Sequence, residues 1–213
     1  MSRRGPSRGF FDLWSLVYEQ PLVQWLTYRP VHDAVASALR PLHPRRVLDV
    51  GCGTGLLTTR LARAFPGAST VGCDFSSGML DQARGHPEPV SWVRGDALRL
   101  PFRAASVDAI VSTEAFHWFP DQRRALAEFF RILAPGGHLL VAIVNTPDRN
   151  VRAMFRLLSS AVGQPLDWPT RAEMRTLVEG AGFRVESQRR LYRLPAGLLL
   201  PPVLTTAVRP ASR

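Results

Sequence analysis

The residue types and spacings that could do chemistry begin in one stretch, Asp49-Val50-Gly51-Cys52-Gly53-Thr54-Gly55. Glycine lacks a Cβ, so Gly51, Gly53 and Gly55 allow positive φ and let a ligand lie directly on peptide N–H groups. Asp49, just before the first glycine, can accept from a ligand ammonium. Asp74 follows the turn by about twenty residues, where a carboxylate at the end of a second strand reaches both hydroxyls of a ribose. Further on, His117 brings an imidazole whose ordinary pKa suits a general base near neutral pH. The alternative for His117 is a side chain that lines a pocket or holds a backbone carbonyl.

Those residues need strand ends that meet. Val47-Leu48-Asp49-Val50 reads as a buried strand entering the turn, and Leu57, Leu61 and Phe65 mark a crossover helix that Pro66-Gly67 stops. Ser69 to Cys73, Val90 to Val93, Val107 to Ser112 and His138 to Val144 read as strands two to five. Val31, Val35, Ala38 and Leu39 fall at helical spacing before strand one. Asp121 can cap a helix carrying Leu126, Phe129, Phe130 and Leu133, which Pro135-Gly136-Gly137 ends. Thr170-x-x-Glu173 is a capping box for a helix ending near Gly180. Strand six follows Gly182-Phe183, and Val203 to Pro210 alternates as a last strand. A strand, glycine turn and helix in this order hold a nucleotide-like ligand at the strand ends of an α/β sheet. NAD is disfavoured, because Leu56 occupies the third glycine of its fingerprint and NAD carries no ammonium for Asp49.

Taken together, these motifs resemble class I S-adenosylmethionine-dependent methyltransferases of the methyltransferase type 11 group, over roughly Phe10 to Pro210. The resemblance implies a doubly wound, Rossmann-like seven-stranded sheet whose last strand returns antiparallel between strands five and six. It implies S-adenosylmethionine as cofactor, with the methionine part resting on Asp49, Gly51, Cys52, Gly53 and Gly55. Asp74-Phe75-Ser76-Ser77-Gly78-Met79 matches the family's Asp-x-Ser-x-x-Met segment, with Phe75 beside the adenine and Met79 under it. Gly95-Asp96-Ala97 followed by Leu100-Pro101-Phe102 matches a further run. There Asp96 would accept from the adenine amino group, and the Ala97 N–H would approach a ring nitrogen. Thr113, at the end of strand four, faces the same crevice and joins the cofactor contacts. The family often has a His-Trp pair where His117-Trp118 stands. In the family the segment before strand one covers the sulfonium, which gives Tyr18 that place here, although Glu19 follows where an aspartate is common.

The organisation expected is a disordered start over residues 1–9, one domain over 10–210, and a tail over 211–213. Within it, 10–45 form a helical lid or a clamp on the sheet edge, and 145–169 an insertion after strand five. Val151, Met154, Phe155, Leu158 and Val162 give that insertion one apolar helical face, either a cap over an apolar acceptor or extra core. The expected reaction is methyl transfer to a small-molecule or lipid-like acceptor by in-line displacement. A non-catalytic cofactor-binding sensor or partner protein is the alternative.

The net charge of +10 raises the question of nucleic acid. Every basic residue counted with lysine is an arginine, however, and the arginines are scattered among abundant Ala, Gly and Pro, a coding bias rather than a binding stripe. Nucleic acid is therefore an improbable partner. The sequence also lacks the motifs of amino-methylating DNA enzymes, protein arginine enzymes and RNA cytosine-5 enzymes. Cys52 and Cys73 lie at strand ends, which suits structural thiols and neither a disulfide scaffold nor zinc. No membrane span or secretory core is legible, since Pro201-Pro202 breaks the apolar run from Leu198 to Val208, so a cytoplasmic protein is expected. Oligomeric state leaves no trace in the sequence.

Overall fold

The structure, a computed structural model, describes residues 28–161, 166–191 and 202–211. Tyr18, Val162, the expected disordered start and the first half of the expected lid, residues 10–27, lie outside the described residues. Seven strands form one sheet: β1 (Arg46–Val50), β2 (Ser69–Asp74), β3 (Ser91–Arg94), β4 (Val107–Thr113), β5 (Leu133–Val144), β6 (Arg184–Arg190) and β7 (Pro202–Val208). Their order is β3-β2-β1-β4-β5-β7-β6. β1 to β5 pair in parallel, and β7 runs antiparallel to both β5 and β6. This is the Rossmann-like sheet that the resemblance implied. Because β2 and β4 flank β1 on opposite sides, the chain leaves β1 and β4 in opposite directions and opens a crevice at their carboxyl ends.

Helices cover both faces, so the central strands are buried on both sides and read as continuous apolar runs. Alternate residues feed alternate cores. Leu48, Ile110, Leu139 and Val141 point to one core, together with Phe129 and Ile132 of α4 (Gln122–Ile132) and Met174 and Val178 of α6 (Arg171–Gly180). Val47, Ala109, Val111 and Leu140 point to the other, with Val31, Val35 and Leu39 of α1 (Arg29–Leu39) and Leu57 and Leu61 of α2 (Leu56–Ala64).

The expected caps form. Asp121 accepts from Arg124 N–H at 2.9 Å, and Thr170 and Glu173 satisfy each other's backbone N–H groups at 3.0 and 3.2 Å. Ser76 caps α3 (Ser77–Ala83) by accepting from Met79 N–H. Most strand ends fall within about two residues of expectation, and one boundary differs by more. α4 ends at Ile132 and Leu133 already pairs with Val107, while His138 pairs with Ala109. Pro135-Gly136-Gly137 therefore forms a bulge inside a longer β5 instead of a stop before it. A side chain on Gly137 would press on the carbonyls of Ala134 and Asp108. Asp108 fixes the start of β1 by pairing with Arg46 and accepting from the Arg45 and Arg46 N–H groups. Among the described residues, no helix is long and apolar enough to cross a membrane.

Candidate active site

A cavity of about 660 Å³ opens at the carboxyl ends of β1, β2 and β4. Its floor is the glycine turn. Gly51, Gly53 and Gly55 all have positive φ, of 73°, 55° and 84°. They do different work. A Cβ on Gly51 would collide with Ala115 in the loop after β4, and one on Gly55 would collide with the Trp92 ring and press on Ala83 at 3.1 Å. Only Gly53 faces open space, with the Met79 sulfur 4.0 Å from where its Cβ would stand. Two of the three glycines are thus places where other parts of the fold come close, and one leaves bare peptide on the cavity floor.

The turn is tied to the end of β2. Gly51 and Cys52 N–H groups donate to Cys73 O at 2.8 and 3.2 Å, and Gly53 N–H donates to Asp74 Oδ2 at 2.8 Å. These three amides are therefore engaged inside the protein. Asp74 Oδ1 accepts in turn from Ser76 N–H at 2.8 Å. Asp74 lines the cavity, and burial pushes its carboxyl above the usual range. With the Gly53, Ser76 and Phe75 N–H groups all directed at it, the carboxylate keeps about one of its roughly four acceptor sites for a hydroxyl.

Asp49 stands behind the turn and is absent from the cavity wall. It is 1% exposed; Oδ2 accepts from Thr58 Oγ1 at 2.7 Å, and Oδ1 has no partner. Burial raises its pKa from 3.8 to about 7, the Thr58 hydrogen bond opposes this, and Asp74 adds to it. Phe75 and Met79 sit on one wall, Phe75 45% exposed and Met79 buried. Asp96 and Ala97 complete that side, and Asp96 Oδ1 accepts from Leu98 N–H at 2.9 Å. Cys52 and Cys73 also line the cavity as free thiols, both raised in pKa by burial first.

The opposite end is aromatic. Thr113 ends β4, and Glu114 follows in the left-handed region at φ 52°, its N–H donating to Ala142 O at 2.8 Å. Such strain in a side chain with a Cβ persists where the surroundings over-determine it, commonly at functional sites. His117 lies on the short 3-10 turn Phe116–Trp118 and is 6% exposed. Its ring sits between Trp118 and Trp168, with centroids 5.3 and 5.2 Å away. Burial lowers its pKa from 6.5 to about 3, and Nδ1 has no partner. The premise of an ordinary imidazole pKa therefore fails: His117 is neutral at physiological pH and a weak proton acceptor.

Trp168 belongs to a strap, residues 166–169, at the end of the insertion expected over 145–169, although sequence reasoning did not single out this tryptophan. The strap is fixed at several points. Arg152 makes a two-pronged pair with Asp167 at 2.7 and 2.8 Å, and Gln122 donates to Asp167 O at 2.6 Å. Thr146 Oγ1 donates to Trp168 O, Asn145 Nδ2 donates to Pro169 O, and Asp167 N–H donates to His117 O. Among its described residues, the helix before it, α5 (Arg149–Ala161), contributes none to the cavity wall. Its Phe155 packs edge-on against Trp168 at 5.3 Å, while Met154, Leu157 and Leu158 are exposed. Among the described residues of its apolar face none belongs to the core, and the cavity wall comes from the strap at the end of the same 145–169 insertion. His32 of α1 was also missed; it lines the cavity, and burial lowers its pKa to about 4.

Sheet order, reversed β7 and a glycine turn held to β2 define a Rossmann-like methyltransferase fold. Residues 48–141 match the family model described as "Methyltransferase domain". An uncharacterized methyltransferase of Mycobacterium tuberculosis is 34% identical over 174 residues, covering 72% of this chain and 87% of that protein. The chain belongs to the class I S-adenosylmethionine-dependent methyltransferases. A malonyl-[acyl-carrier protein] O-methyltransferase of Hahella chejuensis is 38% identical over 120 residues, 55% of this chain and 43% of that protein. A demethylmenaquinone methyltransferase of Thermus thermophilus is 43% identical over 110 residues, 50% of each. The match thus spans about half the length of these two relatives. A solved methyltransferase from Haloferax volcanii, in complex with the Trm112 methyltransferase activator, superposes with a TM-score of 0.76 at 27% identity. That likeness covers 98% of this chain and 100% of the other.

The residues present fit the family's cofactor. S-adenosylmethionine is cationic at sulfur and at its amino group, and this end of the cavity gathers carboxylates. Asp74 and Asp96 line it, and Asp49 lies behind with an unpartnered oxygen. No arginine lines the cavity among the described residues. Buried acids with raised pKa values gain most from a cation placed beside them.

Proposed function

We propose that this chain methylates a small-molecule or lipid-like acceptor bound between the end of β4 and the 166–169 strap. One observation carries the reading: a single cavity has an acidic, glycine-floored end and an aromatic end. When bound, S-adenosylmethionine supplies an electrophilic methyl group that an acceptor electron pair displaces from sulfur in line. Asp74 would hold the ribose hydroxyls, Phe75 and Met79 the adenine faces, and Asp96 and Ala97 the adenine edge. Asp49 would oppose the amino group, directly or through the turn. Gly51 contributes by letting the turn touch Ala115, which brings the two ends of the cavity together. Acceleration would come from alignment and from exclusion of water by Trp118, Phe119 and Trp168.

The test is release of S-adenosylhomocysteine with a panel of phenols, hydroquinones, amines and carboxylic acids. Turnover with one acceptor class supports the reading. Cofactor binding without turnover on any of them would favour a cofactor-binding partner protein instead.

A further inference from the structure

Resting on that reading and deepening it, we infer that His117, Trp118 and Trp168 form an acceptor subsite for an uncharged planar ring carrying a hydroxyl, such as a neutral phenol. Three observations converge. First, the wall is made of rings: two indoles flank the imidazole, tilted by 39° and 41° to it, and Phe119 and Leu166 extend the apolar surface. A planar aromatic ligand gains stacking and edge contacts on such a wall.

Second, the wall holds two buried polar atoms without protein partners, His117 Nδ1 and Trp168 Nε1. Buried polar groups left unpaired are costly, so a ligand that pairs them is favoured. The indole N–H only donates, whereas a neutral imidazole nitrogen accepts or donates with its tautomer. A hydroxyl does both and can answer either atom. A carboxylate only accepts, and a neutral imidazole brings it no charge.

Third, no cation lines this cavity among the described residues, while Asp74, Asp96 and Glu114 do. Arg152, the cation that anchors the strap, is committed to Asp167 and Glu173. A carboxylate acceptor would lose its hydration here without an ion-pair partner.

The experiment uses two probes of nearly equal shape, 2-naphthol and 2-naphthoate, titrated calorimetrically at pH 7 into the full chain saturated with S-adenosylhomocysteine. Naphthol is expected to bind at least about tenfold tighter than naphthoate. Trp168→Phe, which keeps a ring and removes Nε1, and His117→Leu should each weaken naphthol binding about three- to tenfold. Both should leave S-adenosylhomocysteine affinity within about twofold of the parent, which also certifies that they fold. Equal or tighter naphthoate binding overturns the proposal. So does naphthol binding that neither variant weakens, or failure of both probes to bind a chain that holds S-adenosylhomocysteine. Failure to bind S-adenosylhomocysteine at all would instead strike the proposed function.

Discussion

At the glycine-turn end of the cavity, Gly51, Cys52 and Gly53 donate to the end of β2, and Asp74 accepts from both Gly53 and Ser76. At the strap end, His117 Nδ1, Trp168 Nε1 and Asn145 Oδ1 are buried with no partner. The first end is locked by its own hydrogen bonds, which suits a ligand whose shape never changes. The second is held by the Arg152–Asp167 side-chain pair and, at its backbone, by Gln122 and Thr146, and it leaves the His117 and Trp168 side-chain atoms on the cavity wall unpaired. A chain with one invariant reagent and one particular acceptor is expected to divide its polar groups this way. The exceptions at the first end are Thr54 Oγ1, within the turn, and Asp49 Oδ1, an unpartnered carboxylate oxygen whose natural complement is a cation.

The largest effect that would break this division lies within the glycine trio. Gly55→Ala adds a Cβ against Trp92 and Ala83 at φ 84°. Left-handed strain of about 1–2 kcal/mol and overpacking of about 1–3 kcal/mol should lower the melting temperature by roughly 5–15 °C. Gly53→Ala meets open space, so only the strain of about 1–2 kcal/mol applies to folding. Its S-adenosylhomocysteine affinity should still fall about tenfold if ligand lies on that peptide, equivalent to about 1.4 kcal/mol. Calorimetric melting and titration of the two variants check this. Equal melting, or unchanged affinity in Gly53→Ala, would erase the distinction between packing and ligand glycines.

Next comes Asp74→Ala. It removes the charge-assisted hydrogen bond that holds the turn at Gly53, a second one to Ser76 at the start of α3, and the expected ribose contact. Such bonds contribute about 1.5–3 kcal/mol each, so S-adenosylhomocysteine should bind about 100-fold more weakly by titration. An affinity within a few-fold of the parent would mean that the turn holds its ligand without Asp74.

The two ends also differ in how legible they were. The turn, Asp74 and Asp96 sit at strand ends in a nearly contiguous half of the chain, so spacing alone could order them. The capping box at Thr170 and Glu173 was legible for the same local reason. What could not be read was contact between distant segments. Three glycines looked alike until Trp92 and Ala115 were seen to press on two of them. Trp168 meets His117 only because the strap is tied to α4 and to α5. Helical periodicity marked the shared face of Met154, Phe155 and Leu158, but periodicity names residues that share a face and not what the face meets. An imidazole pKa is likewise a property of burial, which a sequence position does not display.

Arg152→Met offers a moderate effect confined to the strap end. It keeps an apolar stem and removes the pair that clamps Asp167 and the contact to Glu173. The strap should loosen while the turn is untouched. The expected result is an acceptor KM raised about three- to tenfold, as fits the loss of roughly 1 kcal/mol of positioning, with unchanged S-adenosylhomocysteine affinity. A change in cofactor affinity with a normal acceptor KM would show the strap serving the wrong end.

The smallest effects are protonic, and they carry opposite signs at the two ends. Asp49 has a folded pKa of about 7 against 3.8 for the free group, so the folded chain holds a proton that the unfolded chain releases. Its stabilisation is complete below pH 3.8 and is lost as pH rises through 7. His117 has a folded pKa of about 3 against 6.5, so the unfolded chain takes a proton that the folded chain refuses. Its contribution is complete above pH 6.5 and is lost as pH falls toward 3. Asp49→Asn should therefore gain melting temperature relative to the parent between pH 5 and 8, and His117→Leu between pH 7 and 4, each by a few degrees. Saturating S-adenosylhomocysteine sharpens the contrast. Its ammonium should favour ionised Asp49 and shrink the alkaline loss, while leaving the acid loss at His117 in place. If the bound ligand left the Asp49 slope unaltered, the unpartnered Oδ1 would be answered from within the protein, and the acidic end would owe its selectivity to Asp74 and Asp96 alone.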